Sequence, residues 1–303
     1  MKRVALLVLV ACGGSSTKPP VTTQAQRPQI ATAADRILPL LPEGAQVVIE
    51  IDLARLRANA VVGPLVTKAL DGEGLPALPG DVPVSPLAKA DAVVLASYGV
   101  GTPQAAMLTV LATKEQVAGG TRVGEDLVAL GPTEWIAQLE ARAAIGGYAA
   151  NGPPILAAPE LLALRDRAMP AKAPGASLRI TARLPFDARV ALARQTGLPS
   201  APAQVSVWAD VADDFAIIVD ADASDPGDKK AAAKAGKQLE ASVRGLLEGI
   251  AEEPAIKLLG IPPSLASAKL TAHGAWVRTI IAIGPDRLKR VVARATAYLE
   301  GTT

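Results

Sequence analysis

The stretch from Val93 to Thr113 holds no charged side chain, and at its centre stands Gly99–Val100–Gly101–Thr102–Pro103. A run of this kind has to leave water, either in a bilayer or in a protein core. A spanning helix needs about 20 helix-compatible residues in a row, and two glycines with a proline at the midpoint deny it that. Two extended segments, Val93–Tyr98 and Ala105–Ala112, bury the same side chains as an antiparallel hairpin closed by the Gly/Pro turn. A buried hairpin is therefore expected, in a fold built on antiparallel sheet.

The remaining elements follow from period and punctuation. Val47–Val48–Ile49–Glu50–Ile51 reads as a strand, and Asp52 caps a helical stretch from Leu53 to Leu70, broken or kinked at Gly63–Pro64. Asp71 to Pro86 is a Gly/Pro loop. Arg122–Leu130 is a strand or a pair of strands, and Thr133–Arg142 a helix with Thr133 as its cap. Ala143 to Pro159, rich in glycine and proline, is the candidate domain boundary. Beyond it come a short helix over Pro159–Ala168, a strand at Ser177–Leu184, and a helix at Phe186–Arg194. A hairpin of Gln204–Ala209 and Phe215–Ala221 follows. Asp225–Pro226 then opens a long helix to Glu252, with Leu239, Val243, Leu246, Leu247 and Ile250 as its apolar stripe. Strands at Ala268–Ala272 and Trp276–Ile283 and a helix at Asp286–Leu299 close the chain.

The order strand–helix–strand–strand–helix occurs from Val47 and again from Ser177. Ile51–Asp52–Leu53–Ala54–Arg55 echoes Pro185–Phe186–Asp187–Ala188–Arg189. A second echo pairs Ser85–Pro86–Leu87–Ala88–Lys89–Ala90 with Ser264–Leu265–Ala266–Ser267–Ala268 and implies a different alignment. The expected fold is α+β: antiparallel sheets with helices packed on one face, in two similar βαββα-type lobes, 33–145 and 160–303.

Half of the chain is apolar but only 3% is aromatic, so the core is aliphatic. A surface that stacks bases or sugars wants rings close together; here Trp135, Trp208, Trp276, Tyr98, Tyr148 and Tyr298 are scattered. Lys and Arg number 31 against 29 Asp and Glu. Removal of Lys2 and Arg3 with a leader leaves 29 of each sign. Nucleic acid is not an expected partner, because phosphate neutralisation needs a basic excess that the whole chain does not have.

The single cysteine excludes an internal disulfide or a thiolate metal cluster. Its setting is specific. Met1–Lys2–Arg3 is basic, Val4–Ala5–Leu6–Leu7–Val8–Leu9–Val10 is apolar and too short to span, and Leu9–Val10–Ala11–Cys12 is followed by Gly13–Gly14–Ser15–Ser16. This resembles the lipobox of bacterial lipoproteins at every position. The resemblance implies cleavage before Cys12, a diacylglyceryl group on its thiol, and acylation of the new amine. It also implies a location in the cell envelope, with Gly13 favouring the outer membrane facing the periplasm. Each buried acyl methylene adds about 0.8 kcal/mol, so two or three chains anchor stably. Residues 12–32, polar and broken by Pro19, Pro20 and Pro28, read as a disordered tether with a reach of roughly 25 Å. The whole chain is similar in style to Ala-rich envelope lipoproteins of Gram-negative bacteria, a likeness that brings no activity with it.

Other candidate chemistry is thin. His273 is the only histidine and sits in Ala272–His273–Gly274–Ala275, a hairpin turn open to water. Asp210, Asp213, Asp214, Asp220, Asp222, Asp225 and Asp228 form the densest carboxylate run. Asp220–Ala221–Asp222–Ala223–Ser224–Asp225 begins like a calcium loop, but Asp225 stands where Gly is needed and Ala231 where Glu is needed. The run reads instead as a hairpin turn at Asp213–Asp214 and a helix cap at Ser224–Asp225–Pro226. No catalytic set, metal site or cofactor site is identified; Cys12 is the one residue given a chemical role. The function expected is a non-catalytic structural or protein-interaction role in a lipid-anchored envelope protein. The alternatives are a periplasmic carrier of a lipid or other apolar ligand and an Asp/Glu-dependent hydrolase.

Overall fold

The uncharged run forms a hairpin. Strands β2 (Ala92–Tyr98) and β3 (Ala106–Ala112) pair antiparallel, with Val94 opposite Val110. The structure is a computed structural model that describes residues 32–71, 85–145, 159–171, 173, 175–196, 201–223 and 228–301. The expected leader, Cys12 and nearly all of the expected tether lie outside the described residues, as does most of the expected boundary at 143–159. Among the described residues no helix is long and apolar enough to cross a membrane.

The other strands are β1 (Val47–Asp52), β4 (Thr121–Val123), β5 (Leu127–Leu130), β6 (Leu178–Arg183), β7 (Gln204–Val211), β8 (Phe215–Asp222), β9 (Lys269–His273) and β10 (Trp276–Ile283). The helices are α1 (Ala33–Ile37), α2 (Leu53–Ala58), α3 (Gly63–Asp71), α4 (Thr133–Ala144), α5 (Pro159–Arg165), α6 (Phe186–Thr196), α7 (Lys229–Glu252), α8 (Pro254–Leu259), α9 (Pro262–Ala266) and α10 (Pro285–Leu299). The fold is α+β. Among the described residues all strands join one ten-stranded antiparallel sheet in the order β4-β5-β3-β2-β1-β6-β7-β8-β10-β9.

Two sequence expectations change here. First, the strands do not part into separate sheets: β1 and β6 pair across a central seam, with Ile49 opposite Ile180. Outward from that seam the same order runs on both sides, β1-β2-β3-β5-β4 and β6-β7-β8-β10-β9. The echo at Ile51–Arg55 and Pro185–Arg189 falls on equivalent strand-to-helix junctions. The echo at Ser85 and Ser264 does not, because it precedes β2 in one half and β9 in the other. Second, helices cover both faces rather than one. In the first half Ala92, Val94 and Ala96 pack with Ile37 of α1 and Leu139 of α4, while Val93 and Leu95 pack with Leu53 of α2 on the other side. A hairpin that is apolar on both faces has to be covered on both. In the second half α7, α8 and α9 close one face: Leu239, Leu247, Ile256 and Leu265 meet Val207, Val219 and Val277.

Caps and breaks are more local. Asp52 caps α2 as expected, accepting from Arg55 N at 2.8 Å. The helical stretch that follows stops at Ala58 and restarts at Gly63. Thr133 is the first residue of α4 and not its cap; Pro132 precedes it. The long helix runs from Lys229 with Asp228 as cap, and the cap expected at Ser224–Asp225–Pro226 lies outside the described residues. Both Asp225 and Asp228 are competent caps, so local chemistry does not choose between them.

Tyr98 closes one end of the first core. Its ring lies 4.1 Å from that of Trp135, and its hydroxyl donates to the Pro42 carbonyl at 3.0 Å. Burial pushes its phenol well above the usual tyrosine value. The folded state therefore holds the neutral form. This contribution is complete below the unfolded value of about 10 and fades as pH rises through the gap between the two. Tyr98→Phe is expected to lose about 1–2 kcal/mol at neutral pH and to flatten the alkaline fall of stability, read from denaturant midpoints across pH.

Candidate functional site

On β1 and the second half of the sheet, the face opposite α7 is polar. Period 2 sends Glu50 of β1, Arg179 and Thr181 of β6, Ser206, Trp208 and Asp210 of β7, Asp220 and Asp222 of β8, and Trp276 and Arg278 of β10 to that side. In register, Thr181, Ser206, Asp220 and Arg278 form one row. Buried charges on a sheet need partners. These come from α5 and the 3₁₀ turn Asp166–Ala168, which pack on β6, β7 and β8, and also from α2 and from β10 itself.

Arg165 is the centre of the crossing. Its Nε donates to Glu50 Oε1 at 2.7 Å and its Nη2 to Glu50 Oε2 at 2.6 Å. Nη2 also meets Asp35 Oδ1 at 2.6 Å. Asp35 is itself the capping-box acid of α1, bonded through Oδ2 to Thr32. One guanidinium thus ties α1, β1 and α5 together. Burial lowers the Arg165 pKa, but Glu50 and Asp35 outweigh it and raise the value, so the cation is held firmly. Nearby Arg179 shifts down, through burial first and Arg165 second.

Further out, Arg278 grips Asp220 through two bonds, 2.8 and 2.6 Å, and donates to the Arg167 carbonyl at 2.9 Å. The Arg167 guanidinium lies 3.6 Å above the Trp276 ring. Ser206 Oγ accepts from Ala168 N and donates to the Arg165 carbonyl, both at 3.2 Å. At the sheet's end, Arg55 holds Asp210 with bonds of 2.7 and 2.6 Å, and Ser177 Oγ donates to Asp210 at 2.8 Å. Asp52 beside them is raised by burial, against the bond from Arg55 N.

No protein-family model matches this chain, and no curated protein matches it. Among solved structures it is similar to crystal form I of TP0453, at 8% identity and a TM-score of 0.40, over 85% of this chain and 96% of that one. Crystal form III of TP0453 gives 10% identity and 0.39, over 84% and 97%. No function is carried over from either.

The sequence candidates distribute as follows. Asp210 and Asp220 belong to the arginine clasp. Asp213 and Asp214 lie in the β7–β8 turn, as expected, and Asp228 caps α7. His273 ends β9 on the surface, opposite Trp276. Among the described residues no group of three His, Cys, Asp or Glu could hold a metal ion. Sequence reasoning missed Glu50, Arg165, Arg179 and Arg278. Three of the four carried a signal: a charge flanked by apolar residues inside a strand, Glu50 in Val47–Asp52, Arg179 in Leu178–Arg183 and Arg278 in Trp276–Ile283.

Chemically the arrangement is a clasp. Each of Glu50, Asp210 and Asp220 is gripped at both oxygens by an arginine from another element, and Asp35 is shared between Thr32 and Arg165. A general acid or base needs an oxygen that can reach substrate, whereas here both oxygens of Glu50, Asp210 and Asp220 are occupied by forked arginine bonds.

Proposed function

We propose that this chain is a lipid-anchored envelope protein with a structural or protein-contact role, held to a membrane through acylated Cys12. The observation that carries the non-catalytic part is the clasp: Glu50, Asp210 and Asp220 are locked by Arg165, Arg55 and Arg278. The anchor rests on Leu9–Val10–Ala11–Cys12 and the leader before it. In this reading the protein stands at the outer membrane facing the periplasm, and the two halves of the sheet are two copies of one unit. Leu239, Leu247 and Ile256, almost fully buried, occupy the space between α7–α8 and the sheet. That filling supports a contact surface over a carrier of apolar cargo. The clasp weighs against an Asp/Glu hydrolase.

The natively purified protein is expected to begin at Cys12 and to carry the mass of a diacylglyceryl group and a further acyl chain. Cys12→Ser is expected to lose that mass and to leave the membrane fraction after a high-salt wash. An unmodified Cys12 in the native protein sinks the anchor. A stoichiometric co-purified lipid would turn the reading toward the carrier.

A further inference from the structure

The clasp arginines Arg55, Arg165 and Arg278 are neutralised by carboxylates. The last part of the chain is different. Residues 254–301 hold seven basic side chains against Asp286 and Glu300; Arg278 and Lys257 are paired with Asp220 and Glu252, which leaves Lys269, Arg287, Lys289, Arg290 and Arg294. Along α10, Arg287, Arg290, Arg294 and Tyr298 recur at intervals of three and four and so share one face. That face borders a groove of about 390 Å³ whose apolar lining includes Leu259, Pro262, Pro263 and Val291.

The arginines are held in place by neutral groups. Arg287 Nη1 donates to the buried Ser264 Oγ at 2.9 Å, and Arg294 Nη1 approaches the Leu258 carbonyl at 3.4 Å. Gly260 makes room for the second contact. It ends α8 in the left-handed region, φ 74°, and a Cβ there would stand 2.2 Å from Arg294 Nη1. Among the described residues none of Arg287, Lys289, Arg290 and Arg294 has a carboxylate partner; Lys257, bonded to Glu252 at 2.5 Å, does. Beside this charge lie Leu258, Tyr298 and Leu299, three of the five exposed large hydrophobic side chains among the described residues.

A basic helix face alone is an ordinary way to stay soluble. Cations without acids that line a groove with apolar walls, with exposed Leu258, Tyr298 and Leu299 on the same two helices, fit a more specific partner. Arginine forks match phosphate oxygens, and Tyr and Leu suit the boundary between headgroups and acyl chains. Nucleic acid would want stacked rings, and only Tyr298 is offered.

We propose that the α8–α10 face is an electrostatic docking surface for the phosphate headgroups of an anionic bilayer. It is a membrane contact separate from Cys12, and it assumes the membrane-bound reading above. The test uses full-length, unlipidated Cys12→Ser protein with vesicles of phosphatidylglycerol and phosphatidylcholine, and with vesicles of phosphatidylcholine alone. Binding is expected to the mixed vesicles, to weaken as salt rises, and to fall about tenfold or more in Arg290→Glu/Arg294→Glu. Lys234→Glu/Lys237→Glu on α7 makes the same charge change elsewhere and is expected to leave binding within about twofold. Both pairs are exposed, so an unchanged thermal midpoint shows that the fold is kept. If a variant melts early, Arg290→Gln alone, with about a threefold loss, takes its place. Equal binding by the α10 variant, equal loss in the α7 variant, or equal binding to phosphatidylcholine alone overturns the proposal. So does displacement by inorganic phosphate beyond that of chloride at matched ionic strength, which would make this a soluble-anion site. A docking face that fails leaves the acyl mass on Cys12 unaffected, so the two proposals fail separately.

Discussion

Arg165→Met is expected to lower stability by about 3–5 kcal/mol, read as a fall in the denaturant midpoint at neutral pH. The side chains involved are deeply covered: Arg165 is 12% exposed, Glu50 4% and Asp35 14%. Removing the guanidinium deletes both bonds to Glu50 and the bond to Asp35, and leaves two carboxylates out of water with less compensation. The penalty comes from the stranded acids more than from the lost attraction, and that makes a second measurement decisive. Arg165→Met combined with Glu50→Leu removes the main stranded charge and is expected to recover most of the loss. Arg165→Lys keeps the charge but not the fork and is expected to fall between the two. A loss below about 1 kcal/mol in Arg165→Met would mean that the clasp behaves as a surface ion pair, and the structural role assigned to it would not stand.

Gly236→Ala is expected to destabilise by about 1–3 kcal/mol, where the same change in a free helix stabilises by about 1 kcal/mol. The reason is a close approach of α7 to the β9–β10 turn. A Cβ on Gly236 would lie 2.1 Å from the Gly274 carbonyl oxygen, and backbone cannot swing aside as a side chain can. Gly245 and Gly249 lie on the same helix, and a Cβ at either would meet nothing within 4 Å. Gly245→Ala and Gly249→Ala are each expected to stabilise by about 0.5–1 kcal/mol. Opposite signs within one helix separate packing from propensity. Thermal midpoints of the three variants measure it, and a stabilised Gly236→Ala would show that α7 does not press on that turn.

The two predictions differ in how legible they were. Gly236 sits in a helix whose apolar stripe was plain, yet nothing around it in sequence marks contact with Gly274. Glu50 was visible as a charge in a strand, but its partner Arg165 lies 115 residues away. Short elements were also hard to see. The helices α1, α8 and α9 have five or six residues each and no room for a repeating stripe. Tertiary packing holds them: Ile37, Ile256 and Leu265 are all buried in the cores.

The sequence by itself determined the strands, the long helices and the hairpin at Val93–Thr113, because period-2 and period-3.6 patterns and Gly/Pro turns act over a few residues. The Cys12 motif also rests on sequence alone. Only the tertiary structure decided that both halves share one sheet, that helices cover both its faces, and that Arg287, Lys289, Arg290 and Arg294 have no carboxylate partner among the described residues. Those outcomes depend on which distant segments meet: β1 with β6, Arg165 with Glu50, Arg294 with the end of α8. Such meetings are set by the summed packing of the whole chain, and no local pattern of residues encodes them.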